Sequence, residues 1–349
     1  MVIWSLLGIL ILVLVLPFAF KKVEENLEVF LLVMGLCASL ISKQLSPELL
    51  LKAFEEPVKI TLAVLIAGLL FNFLHGKIKL AVNKILHILS LRTFVFLVTL
   101  ILGLISSVIT AIIASLVLVE IVTALDIERK TKIQINIIAC FAIGLGAALT
   151  PIGEPLSTIA ISKMNEDFWY LVHLLGPFIL PSIIALAGLN AYWVKQPAHR
   201  LQAVQINPVS EQDQILESQN KETFFAFIRA AKIYMFVMAL LFLGEGFKPL
   251  IDAYVLVLDY RFLYWLNMVS AVLDNATLTA AELSPQMNTS QVQAILMGLL
   301  ISGGMLIPGN IPNIISAGLL RIGSREWAKI GIPIGLIIMS IFFVILLII

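Results

Sequence analysis

Apolar runs long enough to cross a bilayer recur along this chain, and that recurrence limits what it can fold into. A span needs roughly 20 apolar residues, and clear candidates lie at 3–20, 27–42, 57–75, 168–194, 222–243 and 327–349. Of the 349 residues, 60% are hydrophobic and 13% charged, whereas soluble domains run at about 45–50% and about 25%. A water-soluble globule of this size could not cover its surface with so few charges. The sequence therefore predicts an all-α polytopic membrane protein. A net charge of +1 leaves no basic footprint for a nucleic-acid partner. Cys37 and Cys140, in separate apolar runs, read as small buried hydrophobes rather than a disulfide or thiolate metal site. Lys21 and Lys22 follow the first run and nothing basic precedes it, which is the reverse of a cleaved signal.

Two stretches are too long or too polar for one crossing. From Arg92 to Leu125 the chain is almost uncharged, and from Arg261 to Pro285 an apolar run is interrupted by Ser270–Thr277. Each is expected to be a re-entrant hairpin, the other reading being a single kinked crossing. After each comes an apolar segment broken by Gly and Pro, 131–162 and 290–320, expected to be a helix unwound midway. The segment 77–90 spaces Lys among apolar residues with helical period and predicts an amphipathic surface helix. This gives about eight full crossings. The loops on one side then hold 17 of the 23 Lys and Arg. Positive-inside bias makes that side cytoplasmic and places both termini outside, in a multi-pass protein of the cell membrane.

The broken segments resemble one another. Gly144, Gly146, Pro151 and Pro155 mark the first, and Gly303, Gly304, Pro308 and Pro312 the second; each has Pro-x-x-x-Pro, with Trp169 or Trp327 opening the next span. The order span, surface segment, hairpin, broken helix, span covers 57–194 and again 222–349. Residues 1–56 then form two extra scaffold helices, and the polar stretch 195–221 a cytoplasmic linker. Three crossings per unit make the second inverted relative to the first. Proline removes a donor and glycine relaxes the backbone, so a helix broken at mid-membrane leaves carbonyls and amides that survive only in protein or a hydrated cavity. Freed carbonyls and half-helix ends can coordinate a small ion there. The bland alternative is that Gly and Pro merely kink packed helices.

Ionisable side chains at membrane depth are costly and are functional candidates by default. Four remain once loop charges are removed: Glu120, Glu154, Asp274 and Glu282. Asp274 stands beside Asn275, with Thr277 close by. Carboxylate, amide, hydroxyl and carbonyl oxygens suit a hard cation such as Na+; the alternative is that Asp274 satisfies hairpin-tip amides. Glu154, flanked by Thr150, Ser157 and Thr158, is either a ligand or a cap for the half-helix beginning near Pro155. Glu120 and Glu282 are possible proton relays near the hairpin exits, with a solvated interfacial place the simpler reading for Glu282. Asn310 and Asn313 in the second break complete the candidate set. His173 reads as a core or interface histidine. No His-Glu-x-x-His, phosphate loop, dinucleotide fingerprint or Gly-x-Ser-x-Gly elbow is present.

At these residues the chain resembles the ion transporter superfamily. Thr150–Pro155 is similar to the first broken-helix motif of NhaD-type sodium/proton antiporters and arsenite permeases, and Leu273-Asp274-Asn275 to their hairpin-tip motif. Over nearly the whole chain, with Leu273–Thr277 and Pro308–Asn313, it looks like a compact, poorly characterised family of cation transporters. The resemblance implies an inverted repeat with two re-entrant hairpins, a transport domain moving against a scaffold, and a homodimer. Thr110 and Ser115 stand where relatives often carry a second Asp-Asn, and the Ser-Asn-Thr signature of dicarboxylate carriers is absent. The expected function is sodium/proton antiport with no cofactor, small inorganic ions and the lipid bilayer being its partners. Sodium-coupled uptake of a small anion, a passive channel and a membrane-embedded enzyme are the alternatives.

Overall fold

A computed structural model describes residues 2–20, 22–23, 26–194, 212–254, 259–273, 275–283 and 285–348. Among these there is no strand. Two helices come first, α1 (Val2–Ala19) and α2 (Leu27–Ile41). The long α3 (Pro47–Ile88) is followed by the pair α4 (Leu91–Ile109) and α5 (Ala111–Ala124). Next come α6 (Arg129–Ala147), a short α7 (Pro155–Met164) and α8 (Tyr170–Trp193). The second half opens on α9 (Gln212–Tyr254). Its hairpin is α10 (Tyr260–Leu266), prolonged by a 3₁₀ turn over Asn267–Ala271, and α11 (Asn275–Glu282). The broken helix is α12 (Thr289–Gly303), a 3₁₀ turn at Ile307–Gly309 and α13 (Ile311–Leu320), and α14 (Ser324–Ile348) closes the chain.

Local chemistry sets these boundaries. Ser46 and Ser90 accept from the amides of Leu49 and Thr93 to cap α3 and α4. Asn288 and Gln291 exchange side-chain-to-backbone bonds in a capping box that starts α12. The sharp reversal between α4 and α5 passes through Thr110 at φ 76°, and the two limbs pack together as a hairpin. Among the described residues, four helices are long and apolar enough to cross a membrane: Leu91–Ile109, Tyr170–Trp193, Ala230–Leu250 and Ser324–Ile348.

The expected span at 57–75 and surface helix at 77–90 are instead one helix, α3, of 42 residues. At 1.5 Å per residue it is about 63 Å long, roughly twice the hydrocarbon thickness. Gly76 is the only weak helix former where the two were expected to part, and one glycine costs only about 1 kcal/mol. The span at 222–243 likewise lies inside the 43-residue α9, which also takes in 212–221 of the expected linker. Residues 195–211 of that linker lie outside the described residues.

The two halves repeat both element order and contacts. Each long helix packs against the returning limb of its own hairpin, α3 on α5 and α9 on α11. The outgoing limbs pack on the broken helices, α4 on α6 and α10 on α12, and the last helices do the same, α8 on α6 and α14 on α12. Between halves, α5 packs on α13 and α11 on α7. Each returning limb therefore lies against the second part of the other half's broken helix.

Small residues and buried polar ties hold the layers together. Gly35 and Gly246 bring α2 and α9 so close that a Cβ at Gly35 would sit 2.8 Å from Ala239 O. Ser39 Oγ donates to Phe242 O at 2.7 Å across the same pair. Asn190 Nδ2 of α8 donates to Thr99 Oγ1 of α4 at 2.9 Å and Ile135 O of α6 at 3.1 Å. Tyr264 OH of α10 donates to Met339 O of α14 at 2.8 Å. With apolar lipid outside, close backbone approach and interhelical hydrogen bonds of this kind are what drive helix association.

Candidate functional site

The first helix ends at Ala147 and restarts at Pro155, and the second ends at Gly303 and restarts at Ile311. Both caps before the restart, Glu154 and Asn310, are extended (φ −157°, ψ 160° and φ −153°, ψ 147°). Both short helices end on a left-handed residue, Asn165 and Arg321. Every one of these matched pairs is 156 positions apart, as 303 is from 147. The Pro-x-x-x-Pro runs are 157 apart, so aligning them misses the structural register by one residue.

In that register the hydrogen bonds also match. The carbonyls freed at 147 and 303 are each recovered by a side chain ten residues on. Ser157 Oγ reaches Ala148 O at 3.1 Å and Ala147 O at 3.5 Å. Asn313 Nδ2 donates to Gly303 O and Leu306 O, both at 2.8 Å. Gly153 and Gly309 press on the same two carbonyls, where a Cβ on either would collide with Ala147 O or Gly303 O. Glycine is required here by close approach, not by φ.

The hairpins dock the same way. Ser106 Oγ donates towards Gly103 O (2.7 Å) and Ile143 O (3.0 Å), and Ser270 Oγ towards Leu299 O (3.0 Å). Gly146 backs onto Gly103 O, and its counterpart Ser302 donates to Asn267 O at 2.6 Å. These pairings place Gly103 opposite Asn267 and Ser106 opposite Ser270. Counting on from them, Thr110 falls opposite sequence position 274. Asp274 itself lies outside the described residues.

The glycines expected as break points divide by role. Gly144 and Gly146 lie inside α6, which continues to Ala147, so they do not unwind it. They serve close packing instead: Gly146 against the α4 backbone, and Gly144 against Asn310, whose Nδ2 lies 2.5 Å from where a Gly144 Cβ would be. Gly303 ends α12 and Gly304 caps it; a Cβ on Gly304 would enter the ring of Phe141. Pro151 lies in the first break and Pro308 in the 3₁₀ turn of the second, while Pro155 and Pro312 open α7 and α13 at positions that need no amide.

Thr150, Glu154, Ser157, Asn275, Asn310 and Asn313 are all buried. Thr150 Oγ1 ties the first break to the hairpin through Ser107 O, and Ala111 N donates to Gly153 O at 3.0 Å. The Glu154 side chain makes no capping bond to the first turn of α7. Thr277 lies in α11. Glu120 is half-buried on α5. Glu282, expected at a solvated interface, is instead 1% exposed and accepts from Asn267 Nδ2 at 2.9 Å. The hairpin folds it inward against α12, a tertiary effect that proximity to Pro285 does not signal.

Proton counting sharpens the second break. Ser270 Oγ is directed at both Asn275 Oδ1 and Leu299 O, yet a hydroxyl has one proton. Asn275 Nδ2 meanwhile is buried with no partner among the described residues. Turning the amide over resolves both: Nδ2 donates to Ser270, Ser270 donates to Leu299 O, and Oδ1 takes the place beside Gly303. There it joins Gly309 O, which lies 2.9 Å from the position a Gly303 Cβ would occupy. Asn313 Oδ1, whose amide nitrogen is fully used, is likewise buried without a partner. Buried amides are normally satisfied, so unmatched oxygens beside a helix break mark a place for a cation or water.

The breaks differ in exposure. Ile152, Pro155 and Thr158 of the first are exposed, whereas residues 301–310 around the second are buried throughout. Short polar side chains missed by sequence reasoning (Ser106, Ser270, Ser302, Asn267) carry much of the docking, and their only signal was small polar residues inside apolar runs.

With helices and no strand among its described residues, apolar helices of span length and two matched breaks, this is a polytopic membrane protein. The chain matches the family described as "Protein of unknown function (DUF1646)" over residues 3–349, and it belongs to that family. No curated protein matches it.

Proposed function

We propose that the protein is a secondary transporter that exchanges a monovalent cation, sodium, for protons by alternating access. The observation that carries this reading is the pair of matched helix breaks, the second of which holds the unmatched Asn313 Oδ1, Gly309 O and, once its amide is turned over, Asn275 Oδ1, next to Asn310. Broken helices at membrane depth are used for ion coordination because freed carbonyls and half-helix ends supply partial charge without a buried ion's desolvation cost. The resemblance of Thr150–Pro155 and Leu273–Asn275 to NhaD-type antiporters and arsenite permeases supports the same reading.

The charges are asymmetric in the repeat register. Glu154 corresponds to Asn310 and Thr110 to Asp274, so each matched pair contains one carboxylate and one neutral residue. We assign cation and proton binding in alternation to Asp274, with Glu154 completing the acidic part and Thr150, Ser157, Asn275, Thr277, Asn310 and Asn313 the neutral part. Glu120 and Glu282 are assigned to proton relay. Competition of proton and cation for one carboxylate couples their movements. On this reading the halves are inverted about the membrane plane, with about eight crossings, both termini outside, and a homodimer in the cell membrane.

Ion-dependent thermal stabilisation of the purified protein tests the proposal. A ligand at 100 times its Kd stabilises the state it binds by about 2.7 kcal/mol. Sodium is expected to raise the unfolding temperature at alkaline pH and to do so less as protons compete, with the effect lost in Asp274→Asn. No response to sodium, lithium or potassium at any pH would refute the assignment.

A further inference from the structure

The seam between α6 and α13 is polar where a dry helix contact would be apolar. Asn136, Cys140 and Gly144 recur every four residues, so they share one face of α6. On that face Cys140 Sγ lies 3.2 Å from Ser316 Oγ and 3.8 Å from Pro312 O, and Asn136 Nδ2 lies 3.8 Å from Cys140 Sγ. At one end the file reaches Asn310 beside Gly144. At the other, Arg129 ties α6 to the end of α13 and the start of α14: Nη1 and Nη2 grip Glu326 of α14 at 2.5 and 3.1 Å, and Nη2 also donates to O of Arg321, the residue that caps α13, at 2.9 Å.

Asn136, Cys140 and Ser316 are each at most 1% exposed, and Asn136 Oδ1 has no partner among the described residues. A fully buried amide oxygen left unmatched in a polar file is a water-binding group. The clamp at the end of the file is solvent-exposed, with the Arg129 and Glu326 side chains 56% and 43% accessible. The clamp is therefore placed where it can open without disturbing the core.

We propose that this seam, closed in this structure, is the path by which water reaches the second break from the Arg129 side when the Arg129–Glu326 clamp opens, with Asn136, Cys140 and Ser316 as the groups that bind the water. The proposal rests on the reading of the breaks as an ion site, since a path needs a destination.

Cys140 is a native reporter. A dry buried thiol is inert to a small methanethiosulfonate reagent, and a hydrated one reacts as thiolate. In full-length protein carrying Cys37→Ser, labelling of Cys140 in membrane vesicles is expected to be slow, and about tenfold faster with Glu326→Gln or Arg129→Gln. Adding Asn136→Leu is expected to slow it again. Exposed controls at Lys130→Cys and Ser162→Cys report the reagent's access to each face. Labelling that is indifferent to both clamp variants, or unaffected by Asn136→Leu while the controls react, would overturn the proposal. Cation-driven proton flux is measured in parallel in the same vesicles. Clamp-dependent labelling without flux would sink the transport reading and leave the path, whereas flux with clamp-independent labelling would sink the path alone.

Discussion

Asn313→Ala is expected to be among the most destabilising single substitutions near the breaks, and more damaging than its counterpart Ser157→Ala. Asn313 is fully buried and donates 2.8 Å bonds to Gly303 O, freed at the end of α12, and to Leu306 O, which also opens the 3₁₀ turn. Leaving Gly303 O unsatisfied costs about 1–3 kcal/mol, and the lost bond to Leu306 O adds about 1 kcal/mol. Removing the unmatched Asn313 Oδ1 returns part of that, leaving a net loss of about 1–3 kcal/mol. Ser157 makes one good bond, at 3.1 Å, and a weak one at 3.5 Å, so its truncation costs about 1 kcal/mol. Asn313→Asp keeps the shape but turns a carboxylate oxygen on two carbonyls, and is expected to cost at least as much as Asn313→Ala. The assay is equilibrium unfolding in mixed micelles followed by tryptophan emission. Trp327 is a local reporter, being fully buried with its indole Nε1 donating to Gly304 O at 3.1 Å. A loss below about 1 kcal/mol for Asn313→Ala, or a larger loss for Ser157→Ala, would refute the claim that these side chains recover the freed carbonyls.

Gly153→Ala and Gly309→Ala place a methyl group on backbone carbonyls of the preceding half-helix, so both are expected to lose folded protein or any sodium-dependent stabilisation. Gly188→Ala and Gly318→Ala, with open space at the Cβ position, are expected to elute and melt like the parent in the same size-exclusion and thermal assays. Tyr264→Phe removes the buried hydroxyl tie to Met339 O and is expected to cost about 1 kcal/mol in the unfolding assay without changing ion dependence.

Helices, hairpins and breaks were legible because each rests on local chemistry: apolar length, its interruption by polar residues, and proline or glycine where a helix must stop. Thr110 and the 147–155 and 303–311 breaks fall where apolar runs are interrupted. The continuity of α3 was not legible, since lysines at 77, 79 and 84 look the same on a surface helix as on one that runs on past a span. The register of the repeat was also hidden. Prolines suggested one alignment, while Ser157 with Asn313 and Gly153 with Gly309 fix another through the carbonyls they touch. Glu282 read as interfacial because burial depends on how a hairpin folds back, which no spacing reveals. The Arg129–Glu326 clamp joins residues nearly two hundred positions apart and has no sequence signature.

On the proposed function, this chain couples a monovalent cation to protons through Asp274 and the two breaks. Everted vesicles loaded with a pH-sensitive dye test it most directly. Sodium added between about pH 6.5 and about pH 9 is expected to drive proton movement that saturates with concentration and is absent in Asp274→Asn. No pH response to sodium, lithium or potassium, or a full response in Asp274→Asn, would contradict the account.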